Sequence, residues 1–300
     1  MSSNFQSSIH FLLNKLGYKE ISHTSTIVRD ALRRSFAKFG EGHVANLFFD
    51  HMSEIYGLRE DQYLVRFELV EKSLSSLFGS SVNILFAILK EELLAVSDVK
   101  SDDYDTGDAV SDLHRILYHI AEDKVLRFVE ELPSHEHITL LYGDKSSKDK
   151  VINAYLGSEH YHDVPKAILY ANSTRFRQPN YRVDGIAYSE LEVESKEEKR
   201  QQRKFSLEKL AIKINEIHGR NKTQLPTRIV GEGDNWFIDN GYLNELLDLE
   251  KALGRKVKDR MCYLCVYDSS RITEEQLESL ASCHGFIVAD NPMVIYQSSN

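Results

Sequence analysis

The feature that most constrains this chain is a change of hydrophobic period at Pro133. Before it, apolar residues recur every three or four positions, the mark of amphipathic helices. After it, short apolar runs alternate with helical stretches, the order that builds a mostly parallel sheet.

In the first part, Val28, Leu32 and Phe36 share one face, and Val44, Phe48, Met52 and Ile55 another. Phe67, Val70, Leu74 and Phe78 make a third; Val82, Leu85 and Leu89 follow Ser80-Ser81, which reads as an N-cap. Ile9 to Leu16 is an earlier helix, and Gly17, Gly40, Gly57 and Gly79 each stand where a helix stops. The pattern predicts an all-α helical bundle over residues 1–96. Asp98, Asp102, Asp103, Asp105 and Asp108 then mark an acidic linker. A helix carrying Leu113, Ile116, Leu117, Ile120 and Val125 completes the segment 97–133, its stripe suited either to dimerisation or to packing on the next domain.

Over 134–300 the predicted strands are 137–142, 166–170, 227–230, 261–267, 286–289 and 293–296, the last two a hairpin around Asp290-Asn291-Pro292. Predicted helices cover 146–156, a long charged region from Glu190 to His218, a leucine-rich face closed by Gly254, and a segment capped by Thr273 with Gln276. Residues 173–189 read as irregular. The fold class is α/β, preceded by the helical bundle.

The chain has 300 residues, 42% of them apolar and 28% charged, enough for a sizeable core and, on a prior of roughly 150 residues per domain, two domains. No run approaches the ~18 consecutive apolar residues of a membrane helix, and no secretory signal is visible, so a cytoplasmic protein without a membrane partner is expected. Three cysteines are too few for a disulfide framework. A net charge of −9 opposes general nucleic-acid binding. The basic stripe of Arg29, Arg33 and Arg34 keeps a helix-turn-helix DNA-binding regulator as an alternative.

Several motifs carry chemistry in outline. Tyr142-Gly143-Asp144-Lys145-Ser146-Ser147-Lys148 sits between a strand and a helix, where a phosphate loop belongs. It lacks the glycine before the lysine and the Ser/Thr after it, which argues against NTP hydrolysis and leaves anion binding at the helix start open. Cys262 and Cys265 have CxxC spacing, but residues three apart on a strand face opposite ways and cannot clasp one metal. Cys265 does share a face with Tyr267, and with Asp268 and the later Cys283-His284 it makes a Cys/His/Asp neighbourhood. His135 with His137, and His160 with His162, are pairs that could share a metal, although segment edges are commonly polar. Gly231-Glu232-Gly233-Asp234-Asn235-Trp236 suits either a ligand lid or a plug at the sheet end.

The stretch from His137 to Tyr296 resembles the MEDS sensory domain. The resemblance rests on His137–Tyr142, Arg228–Glu232 with Trp236, Leu246-Leu247-Asp248-Leu249-Glu250, Leu264-Cys265-Val266-Tyr267-Asp268, and His284 one helix later. It implies a RecA-like sheet with a degenerate phosphate loop that senses a small molecule, such as a hydrocarbon derivative, without catalysis. Gly157 to Asp163 departs from the family pattern. Residues 9–95 resemble a small helical domain of signalling proteins in ammonia-oxidising archaea, on Phe39-Gly40, Tyr56-Gly57-Leu58 and Leu77-Phe78-Gly79; this implies an output role toward a protein partner or a second copy.

The expectation is thus a non-enzymatic regulator. Its ligand site would be His137, Tyr142, Glu232, Trp236, Cys265, Tyr267, Asp268 and His284, with no resident metal or cofactor. A RecA-like nucleotide switch or weak ATPase is the first alternative, DNA binding the second, and a cysteine-histidine metal sensor a further one.

Overall fold

The structure, a computed structural model, describes residues 3–39, 43–97, 104–132, 137–171, 183–194, 203–223, 225–232, 234–256 and 261–299. The helices before the sheet are α1 (Ser3–Lys15), α2 (Thr24–Phe39), α3 (His43–Tyr56), α4 (Phe67–Phe78), α5 (Val82–Leu94) and α6 (Ala109–Glu130). A short strand, β1 (Tyr18–Glu20), lies between the first two. The strands that follow are β2 (His137–Tyr142), β3 (Lys166–Tyr170), β4 (Asp184–Ala187), β5 (Glu192–Glu194), β6 (Arg203–Phe205), β7 (Thr227–Glu232), β8 (Met261–Asp268), β9 (Phe286–Ala289) and β10 (Val294–Ser298). Between them run α7 (Lys145–Gly157), α8 (Leu207–His218), α9 (Asn235–Asp239), α10 (Leu243–Lys256) and α11 (Glu274–Ala281).

An eight-stranded sheet has the order β1-β10-β9-β2-β8-β7-β3-β4. From β9 to β4 every pairing is parallel, and the β9–β10 hairpin and β1 extend one edge antiparallel. Inward-facing residues alternate, so each strand feeds two cores. Ile138, Leu140, Ile168, Val230, Leu264 and Val288 pack with Val125 and Val129 of α6 and Val151 and Ile152 of α7. Leu141, Leu169, Ile229, Cys265, Tyr267 and Ile287 join α8, α10 and α11. Cys262 and Cys265 fall in opposite cores, as the period of two requires.

That second core does not stop at the sheet. It continues through Leu113, Ile116 and Leu117 of α6 into Leu85 and Leu89 of α5 and Val28, Leu32 and Phe36 of α2. The apolar stripe of α6 is therefore covered within the chain, which decides between packing and dimerisation for that stripe. α4 and α5, joined by a tight turn at Gly79–Ser81, form a stretch from Phe67 to Leu94 long and apolar enough, by length and composition, to cross a membrane; 33% of its apolar window is buried.

Five expectations need correction. Within 173–189, read as irregular, Asp184–Ala187 form β4, a four-residue strand too short for a visible period and fixed by parallel pairing with β3. β1 lay unseen inside the predicted bundle; three residues are too short for a period, and pairing with β10 rather than propensity makes it a strand. The region 190–218 is not one helix: β5 and β6 pair antiparallel, and among the described residues its α-helix begins at Leu207, capped by Ser206 accepting from the Lys209 amide. Ser81 makes no side-chain cap, because the turn at Gly79–Ser81 feeds its backbone directly into α5. Gly254 lies inside α10 rather than closing it. Gly40, residues 98–103 of the acidic linker, residues 172–182 and residues 195–202 lie outside the described residues.

A buried arginine ties the layers together. Arg228 of β7 is fully buried, donates to the carbonyls of Val129, Glu130 and Tyr155 at the ends of α6 and α7, and lies 3.5 Å over the Tyr161 ring. Helix carboxyl ends carry partial negative charge, so two of them stand in for the missing carboxylate.

Candidate functional site

β2 and β8 run side by side in parallel, with His137 opposite Tyr263 and Thr139 opposite Cys265. His137, Tyr263, Cys265 and Tyr267 therefore project from one face of the sheet. α10 crosses that face and lowers Glu250 onto it, one turn beyond buried Leu246. His284 arrives from the turn after α11, just before β9. The nitrogen, sulfur and oxygen atoms of His137, Glu250, Cys265 and His284 lie within 4.8 Å of one another.

Glu250 is the hub. Its Oε2 is 2.7 Å from His137 Nε2 and 3.4 Å from both Cys265 Sγ and His284 Nε2. Its Oε1 accepts from the Tyr267 hydroxyl at 2.5 Å. His137 Nε2 is also 3.0 Å from Cys265 Sγ, and the two imidazoles lie with centroids 4.1 Å apart. Burial would raise the Glu250 carboxyl, but the facing His137 and His284 more than offset it and hold it well below the usual range. Burial pushes the Cys265 thiol well up, helped by the carboxylates of Glu250 and Asp234. Burial, and then the neighbouring His284, lowers His137.

His284 is oriented from behind. Its Nδ1 is 2.8 Å from the Leu280 carbonyl, an atom that only accepts, so Nδ1 carries the proton and Nε2 faces the cluster. Its own carbonyl accepts from the Tyr18 hydroxyl at 2.6 Å, and that hydroxyl also reaches the Ala281 carbonyl. A cleft lined by Leu16, Tyr18, Ala281, Cys283 and Ser298 opens beside His284.

The structure divides the predicted site residues among three places. His137, Cys265, Tyr267 and His284 meet in the buried centre. Tyr142, Glu232 and Asp268 instead mark the carboxyl ends of β2, β7 and β8. The connections from β2 and β8 leave in opposite directions, a topological switch point where ligands of open α/β sheets gather. There Lys148 bonds Glu232 at 2.7 Å and lies 5.6 Å from the centroid of the Tyr142 ring. Burial works against the Lys148 ammonium, and Glu232 more than offsets it, holding it above its usual range. Asp268 is engaged locally, accepting from the Ser270 amide and hydroxyl. Trp236 stacks on Tyr188, with centroids 5.5 Å apart, and packs on Phe237 and Tyr242, so it serves as a plug in an aromatic group.

The βα turn that resembles a phosphate loop has its donors in use. The amides of Gly143 and Asp144 both donate to Asp290 Oδ2, at 2.8 and 2.9 Å, and the Ser147 amide donates to Asp144. Anion binding, left open on the sequence, meets a carboxylate already seated. The basic stripe is likewise partnered: Arg29 and Arg33 face Glu60, and Arg34 faces Glu92. His160 and His162 are exposed, with His162 paired to Asp163; His135 lies outside the described residues.

Glu250 is the member of the centre that sequence reasoning missed. It reads as one more charge on an amphipathic helix, yet it stands four residues after Leu246 on the apolar stripe; a carboxylate at an inward position was the available signal. No known protein family, curated protein or solved structure matches the chain significantly.

Proposed function

We propose that the chain is a regulatory binding protein. In this reading a MEDS-like, RecA-like α/β part holds a small ligand beside the His137–Glu250–Cys265–His284 centre, and the amino-terminal helices carry the response to a partner. The observation that carries the reading is the Tyr18 hydroxyl on the His284 carbonyl. Tyr18 opens β1, and Glu20 at the other end of β1 accepts from the amides of Thr24 and Ser25, the first residues of α2. A shift of His284 is thus passed through three residues of strand to the cap of a helix in the amino-terminal core. Such coupling requires the ligand to favour one arrangement of these elements.

The nucleotide-switch alternative is disfavoured by the Asp290 carboxylate in the βα turn and by the Lys148–Glu232 pair, and DNA reading by the partnered arginines. The test is a thermal-shift panel on the full chain, with Mg²⁺-ATP beside small halogenated, methylated and alcohol-type compounds. A compound at about 100 times its Kd adds about 2.7 kcal/mol to the state it binds. We expect a shift with compounds of the second set and, with the stabilising compound, slowed hydrogen exchange over residues 24–94. A shift with Mg²⁺-ATP alone, or stabilisation that leaves that exchange unchanged, would overturn the reading.

A further inference from the structure

The geometry points to a divalent transition-metal site of zinc type, closed by His137, Glu250, Cys265 and His284. Three observations lead there. First, three groups converge on one carboxylate oxygen: His137, Cys265 and His284 all face Glu250 Oε2, while Oε1 is satisfied by Tyr267. One oxygen has two lone pairs, which the donors His137 and Cys265 already take, leaving nothing there for His284, whereas a cation among the four groups satisfies each once. Second, His284 Nε2 is buried without a hydrogen-bond partner, its lone pair opposite a carboxylate, because Nδ1 is committed to Leu280. In that tautomer one acceptor faces another at 3.4 Å with no proton between them, and a positive ion between them would engage both lone pairs. Third, the centre is buried, with Glu250, Cys265 and His284 at most 4% exposed, so the solvated-carboxylate explanation for an acidic cluster does not apply.

The donor set selects the ion. Two imidazole nitrogens, one thiolate and one carboxylate suit zinc and its neighbours, whereas magnesium and calcium take oxygen. Bonds of about 2.0–2.3 Å set tetrahedral ligands roughly 3.3–3.8 Å apart. The two 3.4 Å separations already meet this, and the His137 contacts at 2.7 and 3.0 Å open by well under 1 Å. A thiolate and a carboxylate with two neutral imidazoles balance a dication, leaving no net charge in the core. On uptake the thiol proton leaves to solvent as the sulfur–metal bond forms. Supports stand behind two of the ligands, Leu280 for His284 and Tyr267 for Glu250, as metal ligands generally require. The cleft at Cys283 and Tyr18 is the way in.

The full chain, stripped with a chelator, is titrated with zinc and with cobalt(II). We expect one equivalent of either, with tetrahedral cobalt bands and a thiolate-to-cobalt band. In a Cys262→Ala/Cys283→Ser variant Cys265 is the only cysteine left, and the thiolate band should persist. It should vanish in Cys265→Ser, and Tyr267→Phe should weaken zinc about 10–100-fold while keeping the band. Less than one equivalent in the unaltered chain, or no thiolate band in the variant with Cys265 alone, overturns the site without relying on the Cys265→Ser protein folding. The inference rests on the regulatory reading for the centre's role but not for its ligands, and the two fail separately. Zinc uptake without any compound-induced shift leaves the metal standing and removes the sensing. Compound-induced shifts in a chain that takes up no zinc do the reverse.

Discussion

His10 shows how one side chain can make the whole fold sensitive to pH. It is buried in α1, its Nδ1 2.8 Å from the Tyr296 hydroxyl, and burial lowers its pKa from 6.5 to about 4. The folded state holds it neutral, so its contribution is complete above pH 6.5 and declines as pH falls toward 4, where the loss levels off. The difference corresponds to about 3 kcal/mol. Urea unfolding of the native chain and His10→Gln between pH 4 and 7 should show the native chain losing stability more steeply. Parallel curves would contradict this account. Arg228 makes a second case. Arg228→Lys keeps the charge but loses the planar fork that reaches three carbonyls and the face that lies on Tyr161. We expect a loss of about 2–4 kcal/mol in denaturant unfolding. Neither burial was legible in the sequence, where His10 and Arg228 are single polar residues in apolar surroundings. Cys265 and His284 were legible as a neighbourhood because strand alternation and the capped helix after it fix their faces.

The elements that the sequence makes plain are those whose period runs long enough to be read. α2, α6, β2, β8 and the Thr273–Gln276 capping box stand where hydrophobic spacing puts them. β1, β5 and β6 do not, because each is three residues long and is a strand only through its partner. The glutamate-rich start of the 190–218 stretch carries helix propensity that pairing of Glu192 with Phe205 overrides. At the end of β7 the backbone depends on a missing side chain. A Cβ on Gly231 would stand 2.5 and 2.6 Å from the carboxylate oxygens of Asp234, which holds the Tyr188 hydroxyl. Gly231→Ala should therefore cost about 1–3 kcal/mol and loosen the stack of Tyr188 on Trp236, visible as a change in tryptophan emission. An unaltered emission spectrum would mean that Asp234 moves aside freely.

Across the whole molecule the helices and the sheet share buried residues from Ile9 to Tyr296. The only tryptophan, Trp236, reports on the sheet end, and far-UV circular dichroism is dominated by the helices. Because the core is continuous, we expect both signals to fall in one coincident transition. A helix signal that melts first would mean that the amino-terminal part is a separate folding unit.

Asp290 gives the α7 turn a further property. The carboxylate that takes the Gly143 and Asp144 amides belongs to the β9–β10 hairpin, so it is a competitor on a tether. A group fixed this way presents an effective concentration in the millimolar range or above. Phosphate or carboxylate from solution must outcompete it at every encounter, and lifting it out also strains the hairpin whose outer strand, β10, carries β1. The turn is thereby insulated from the anions of its surroundings, and anything that displaces Asp290 acts on the edge of the sheet at the same time.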